Sequence, residues 1–337
     1  MKHQVFIKAV LYCSLVAVVV LSAEVSAQSS APRRRGVFGD WQVKVQFGER
    51  QMESILSFSR DDEGNLVGQW ISFWGVSELK DVKLEENKLS FVQVVRFGEN
   101  ESTSNFAGVI EDGKLSGTLS GERGEFKLEG MRSPRIPRAV GNWEMKYKVG
   151  ERDITSTLVV KADKEGVLTA QWQSQQGEHE ITDVQYERGN LTFKRKSKIQ
   201  DREWESTFEG TVQRDTLSGV FKSERGEIAA EGTRIGAALI GNWNLEIVSE
   251  RGPRKQRLTV RPDMSGLYGA TPIKKVNLED DKVSFKIVLE FGERTFEMSF
   301  EGQLQDSKLT GELTSPRGTR KVTGTKVIRT FRRRPSQ

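Results

Sequence analysis

Apolar residues in this chain recur at every second position, in short runs separated by glycine-bearing turns. Between residues 39 and 132 the runs are Trp41, Val43, Val45 and Phe47; Leu56 and Phe58; Leu66, Gly68 and Trp70; Val82 and Leu84; Leu89 and Phe91; Phe106, Gly108 and Ile110; Leu115, Gly117 and Leu119; Phe126 and Leu128. A period of two marks a strand with one buried face, so this stretch predicts eight strands. Asp62-Glu63-Gly64, Glu111-Asp112-Gly113 and Glu122-Arg123-Gly124 supply the positive φ that tight hairpins need. Connections this short allow only antiparallel pairing of neighbours, and no later window carries a helical period. The expected fold is an up-and-down meander, closed into a barrel or folded over as a sandwich. Gly108 and Gly117, on inward phases of the sixth and seventh strands, favour the barrel, because a missing side chain lets a strand coil.

The pattern occurs three times. Shifting the chain by 102 residues aligns Gly39–Arg132 with Gly141–Arg234 without a gap and with about 36 identities in 94 positions, which only duplication explains. A third copy runs from Gly241 to Lys326; Leu89-Ser90-Phe91, Leu191-Thr192-Phe193 and Val283-Ser284-Phe285 correspond. It lacks about eight residues where the first two copies carry Gln69-Trp70 and Gln171-Trp172, so its third hairpin is trimmed. A period near 100 residues suits a complete small domain that owns its core. The expected fold class is therefore all-β: three tandem eight-stranded antiparallel up-and-down barrels at 39–132, 141–234 and 241–326. The connector at 133–140 holds two prolines that stop a strand, whereas the apolar 235–240 suits packing between modules.

Ahead of the first module, Lys2 and Lys8 precede an apolar run from Ala9 to Ala23 that ends in Val25-Ser26-Ala27, which reads as a signal peptide over 1–27. That run is shorter than the roughly 20 residues a spanning helix needs, so the mature chain is expected to be exported, periplasmic or extracellular, and not membrane-spanning. The one cysteine, Cys13, lies inside the run and not after it, so a lipid anchor is not expected. Its removal leaves no thiol for disulfide, zinc or nucleophilic chemistry.

The net charge of +5 hides a division. The modules hold 41 basic against 46 acidic residues. Arg33 to Arg35 in the linker 28–38, Arg135 and Arg138 in the first connector, and Arg329 and Arg332 to Arg334 in the tail 327–337 make the connectors and ends basic. Such ends either dock on an anionic envelope surface or serve as solubilising tails. Nucleic acid is not an expected partner of exported, acidic modules.

Each copy opens with Gly-x-Trp (Gly39-Asp40-Trp41, Gly141-Asn142-Trp143, Gly241-Asn242-Trp243) and closes its last strand with a basic residue: Arg132, Arg234 and Lys326. This resembles the calycin group, lipocalins with their avidin-like and fatty-acid-binding-like relatives, in which an arginine from the far end of the barrel packs across the first-strand tryptophan. The resemblance implies a small lipocalin-like barrel with a cation–π lid on its floor, pairing Trp41 with Arg132, Trp143 with Arg234 and Trp243 with Lys326. Closure brings the last strand beside the first, which makes that pairing geometrically sensible. At about 95 residues each copy falls short of a full lipocalin, so a shallow or filled lumen is expected. The modules are also similar to small β repeats appended to secreted bacterial hydrolases, which implies an accessory role.

Candidate chemistry is sparse, and neither a metal nor another cofactor is expected. Past the signal, His179 is the only imidazole, expected on an exposed loop. Asp81 and Asp183, and Glu85, Glu187 and Glu279, recur at matching positions, where paired carboxylates of a glycan-active enzyme compete with a solvated charge ladder. Lys194, Lys196 and Lys198 share one face of a strand, with Trp204 on the next, as an anionic-polymer grip or a solvated face opposite Glu203 and Glu205. In the first copy Phe73 and Trp74 follow Trp70; the second has Trp172 followed by glutamines. Trp70, Phe73, Trp74 and Trp172 are the candidate ligand contacts at barrel mouths, for a small apolar molecule or a glycan, unless they pack between modules. The expected function is a non-catalytic binding protein, with a structural adaptor of the envelope as the alternative and an enzyme as a third reading.

Overall fold

The computed structural model describes residues 36–327 except 49, 98, 99, 123, 164, 250, 251, 292 and 293. The expected signal peptide, Arg33 to Arg35 and the tail arginines lie outside the described residues.

The first barrel comprises β1 (Gly39–Phe47), β2 (Arg50–Arg60), β3 (Leu66–Ser72), β4 (Gly75–Glu85), β5 (Lys88–Phe97), β6 (Asn100–Glu111), β7 (Lys114–Gly121) and β8 (Gly124–Arg132). Each strand pairs with its neighbours in sequence, and β1 closes on β8 with Trp41 opposite Arg132. The two-residue turn between β6 and β7 is Asp112-Gly113, both at positive φ (47° and 78°), which matches the twist of the flanking strands.

The second barrel comprises β9 (Gly141–Val149), β10 (Arg152–Ala162), β11 (Leu168–Gln173), β12 (Glu178–Glu187), β13 (Asn190–Ile199), β14 (Arg202–Gln213), β15 (Thr216–Ser223) and β16 (Gly226–Arg234). Here β9 pairs with β16, but the ladder is interrupted between β11 and β12, which form the two ends of the sheet order.

The third barrel has nine strands where the sequence pattern predicts eight: β17 (Gly241–Ile247), β18 (Arg254–Val260), β19 (Gly266–Tyr268), β20 (Thr271–Ile273), β21 (Val276–Glu279), β22 (Lys282–Phe291), β23 (Arg294–Gln305), β24 (Lys308–Ser315) and β25 (Gly318–Lys326). The extra strand is a broken one. In the first two barrels the fourth strand shifts register at Asp81 and Asp183, both in the left-handed region (φ 52° and 55°), as one-residue bulges that Asp tolerates well. At the matching position the third copy has Lys275, and the strand is interrupted between Ile273 and Val276, so the trimmed hairpin becomes three short pieces.

Each barrel is filled by its own cluster of buried side chains. At its centre lies a stacked pair of phenylalanines, Phe91 on Phe106, Phe193 on Phe208 and Phe285 on Phe300, with centroids 4.6, 4.8 and 4.8 Å apart. The inward glycines seat these rings: Gly108 faces Gly117 across the ladder, and a Cβ on Gly117 would stand 2.6 Å from the Phe106 ring. Gly210 with Gly219 and Gly302 with Gly311 repeat the arrangement.

The floors are built alike. Trp41, Trp143 and Trp243 are fully buried, and each indole N–H donates to the carbonyl four residues earlier: Val37 at 2.7 Å, Ala139 at 2.9 Å and Leu239 at 2.8 Å. Those three residues are buried plugs contributed by the segment before each barrel. Over the indoles lie Arg132, Arg234 and Lys326, at 4.8, 4.0 and 5.7 Å from the ring centroids. The same cations hold the entering chain: Arg132 donates to the Phe38 carbonyl, Arg234 to those of Val140 (2.5 Å) and Arg138 (2.7 Å), and Lys326 to that of Ala238 (2.6 Å). Gly39, Gly141 and Gly241 have φ of 107°, 148° and 133°, and a Cβ at any of them would press on the overlying cation, which accounts for the glycine of Gly-x-Trp.

Candidate functional site

The four candidate ligand contacts occupy three separate places. Trp70, on β3, is buried inside the first barrel with its ring 6.5 Å from Phe91. Phe73 and Trp74 sit on the β3–β4 turn, edge to face at 5.2 Å. Phe73 leaves its own barrel and packs against the core of the third, 6.3 Å from the Tyr268 ring, while Trp74 stays about half exposed. Polar contacts fasten the same junction. Gln256 Nε2 donates to the carbonyls of Ser72 (3.1 Å) and Phe73 (2.9 Å), and Arg257, almost wholly buried, pairs with the Asp40 carboxylate. Trp172, on β11, is buried inside the second barrel among Tyr147, Phe193 and Phe221.

That second lumen holds a residue the sequence reading passed over. Alternation along β13 turns Lys194, Lys196 and Lys198 outward, where Lys194 pairs with Asp183 at 2.8 Å and Lys196 with Glu203 at 3.3 Å. The same alternation turns Arg195 and Ser197 inward, and Arg195 keeps only 6% of its surface exposed. Its guanidinium carbon lies 4.0 Å from the Phe221 ring centroid, 4.6 Å from Trp172 and 5.8 Å from Tyr147. Among the described residues Nε and Nη1 have no hydrogen-bond partner. Burial pulls the Arg195 pKa down, against a smaller upward effect of Tyr147. Two more buried groups nearby lack partners among the described residues: Trp172 Nε1 and the hydroxyl of Ser206, which stands opposite Arg195 on β14.

His179 lies on β12, not on an exposed loop, and its ring is half-buried because it points inward with Ile181. Nε2–H donates to the Gln176 carbonyl at 3.0 Å, leaving Nδ1 to accept from Ser197 Oγ at 2.9 Å. Burial lowers its pKa below the usual 6.5, and Arg195 lowers it further, against the raising effect of the Gln176 bond. A neutral imidazole is the result.

The three copies differ at this layer. Where the second has Arg195, two residues past the stacked phenylalanine, the first has Gln93 and the third Ile287, both buried. The wall differs too. In the first barrel β3 and β4 are laddered from Gly68 opposite Leu79 to Ser72 opposite Gly75. In the second, the corresponding β11 and β12 carry Trp172 and His179 face to edge across the gap, with ring centroids 6.5 Å apart.

The recurring carboxylates lie outside the lumens. Asp81 and Asp183 are exposed at the bulges, and Glu85, Glu187 and Glu279 are exposed at the ends of β4, β12 and β21. Trp204 is half-buried beneath Arg225, whose guanidinium carbon lies 5.9 Å from its centroid. No group of His, Cys, Asp and Glu among the described residues is arranged to hold a metal ion, and no helix there is long and apolar enough to cross a membrane, which says nothing of β-barrels.

No family model matches the chain. No curated protein sequence matches it either. Solved structures that align with it include a protein of unknown function from the DUF3598 family of Nostoc punctiforme (12% identity, 86% of this chain and 96% of that one, TM-score 0.22). Transferrin binding protein B of Haemophilus parasuis aligns at 10% identity over 87% of this chain and 76% of that one, TM-score 0.20. A porin-like protein of Bacteroides vulgatus aligns at 9% identity over 86% and 98%, TM-score 0.19. At such scores the likeness carries no argument about function, and the three antiparallel barrels stand on the chain's own topology.

Proposed function

We propose that this chain is a non-catalytic, exported scaffold of the cell envelope, a calycin-like set of barrels that meets its partners with barrel surfaces and ends and does not carry a bulky apolar ligand in its lumens. The observation that carries this reading is the packing of the interiors. Stacked phenylalanines on glycine seats fill the middle of every barrel, and a buried tryptophan under a basic residue closes every floor. A lumen for a drug-sized molecule needs about 300 Å³ or more of open space. Phe73 supports the same reading, since it joins one barrel to another instead of lining an open mouth. The expected role of the basic termini is to hold the scaffold on an anionic surface.

Native mass spectrometry of the mature protein from its own source, followed by organic extraction, tests the proposal. The expected result is the polypeptide mass with no extractable apolar molecule. A reproducible lipid-like adduct, released on unfolding, would overturn it and restore a carrier.

A further inference from the structure

We infer that the second barrel binds a small monovalent anion, admitted at the seam between β11 and β12 and held by the Arg195 guanidinium, with Trp172 Nε1–H and the Ser206 hydroxyl as neutral donors. This stands apart from the scaffold reading and can fail without it.

A buried charge is normally paired, because an unpaired one keeps most of the cost of leaving water. Arg195 is a buried cation whose ion-pair partner is absent among the described residues. Phe221, Trp172 and Tyr147 surround it, which offsets part of the cost through their quadrupoles. Aromatic faces do not serve the N–H groups, however, and Nε and Nη1 are left without acceptors. Two other strands contribute further unpartnered groups, Trp172 on β11 and Ser206 on the adjoining β14. A guanidinium, an indole N–H and a hydroxyl, carried into one lumen by three strands, are together complementary to a group that accepts hydrogen bonds and carries negative charge.

The charge of the ligand follows from what else faces inward. His179 is neutral, held between the Ser197 hydroxyl and the Gln176 carbonyl, the lysines of β13 point outward, and no carboxylate among the described residues pairs with Arg195. One positive charge is unneutralised, so a monoanion balances the site and a dianion leaves an excess. Phe193 and Phe208, stacked and buried, bound the site from beneath. Only this copy joins a buried arginine to an open seam; the third sheet is open too, between β20 and β21, but lacks the arginine. The first barrel has an uncharged amide at the matching position and a laddered wall; the second has the arginine and an unladdered wall, with Trp172 of the site on one lip. The third has Ile287, an ordinary core residue.

The experiment uses the mature chain, whose seven tryptophans give seven indole N–H resonances, with that of Trp172 assigned through Trp172→Phe. Formate, acetate, benzoate and chloride are titrated at constant ionic strength, with sulfate as the dianion control. A saturable shift of the Trp172 indole, with those of Trp41, Trp70 and Trp243 unmoved, is expected. Arg195→Gln, which imports the first barrel's residue, should weaken the affinity at least tenfold; Arg195→Ile, which imports the third's, should abolish the response. Both unliganded variants should melt at or above the parent's temperature, since each removes an unpaired buried charge. A response to carboxylates identifies an organic acid as the ligand, and a response to chloride alone identifies a halide site. The inference is overturned if no monoanion moves the Trp172 resonance, if sulfate alone does, or if Arg195→Gln responds like the parent.

Discussion

Arg132, Arg234 and Lys326 close three floors with different completeness. Arg234 donates to the carbonyls of Val140, Arg138 and Arg214 and pairs with Asp215 at 3.2 Å, whereas Lys326 among the described residues holds the carbonyls of Ala237 and Ala238. Burial lowers the pKa of both, with Asp215 opposing the shift in each case. Hydrogen bonds to a charged group contribute about 1.5–3 kcal/mol, and a buried carbonyl left unpaired costs about 1–3 kcal/mol. Arg234→Met should therefore destabilise the second barrel by about 3 kcal/mol, and Lys326→Met should cost the third about 1 kcal/mol, read from urea midpoints. The floor was legible in the sequence because Gly-x-Trp and the closing basic residue stand at strand ends that closure makes neighbours. Val37, Ala139 and Leu239 were not legible as plugs of the floors, since a connector has no period that assigns its apolar residues to a barrel. Arg195 was legible in principle: the alternation that exposes Lys194 and Lys196 must bury the residue between them. The run of five basic and polar residues drew attention to the outward side.

At the scale of the strand, period-two patterning carried the architecture. It placed all eight strands of the first copy, and the glycine turns placed the hairpins. What it could not carry was the pairing between third and fourth strands, because that depends on hairpin length. Ser72 stands opposite Gly75 in the first copy and zips the wall; the glutamine-rich segment 173–176 of the second leaves β11 and β12 unladdered; the trimmed third copy splits the strand. Backbone amides that face a ladder are protected from solvent exchange, and those at an open seam are not. Amides on the seam side of β11 and β12 should exchange at least tenfold faster than their counterparts on β3 and β4, as hydrogen–deuterium exchange resolved by residue will measure.

On the scale of the molecule, the junction between the first and third barrels departs most from beads on a string. Arg257 with Asp40, Gln256 with the Ser72 and Phe73 carbonyls, and Phe73 against Tyr268 join modules more than 180 residues apart in sequence. The composition of 73 and 74 had flagged the place, and no local pattern names a distant partner. Removing one member of a buried ion pair strands the other, at a cost of about 3–5 kcal/mol when burial is complete. The Asp40 side chain retains 23% of its exposure, so Asp40→Asn should cost about 2 kcal/mol. Combined with Phe73→Ala it should release the first barrel from the third, with a larger radius of gyration in small-angle scattering and faster proteolysis within 133–140.

The junction has a consequence for mass action. Its two halves belong to one chain, so their encounter is governed by an effective concentration that the intervening barrel and two connectors set, of millimolar order for short tethers. A contact of a few side chains, too weak to hold two free barrels together at micromolar dilution, can stay closed under that condition. The second barrel therefore acts on the junction as a tether, and any event that unfolds it or severs 133–140 turns a unimolecular equilibrium into a bimolecular one. In a crowded compartment the freed surfaces of one molecule can then meet those of another, and the same contact that closes the monomer becomes a route to exchanged oligomers.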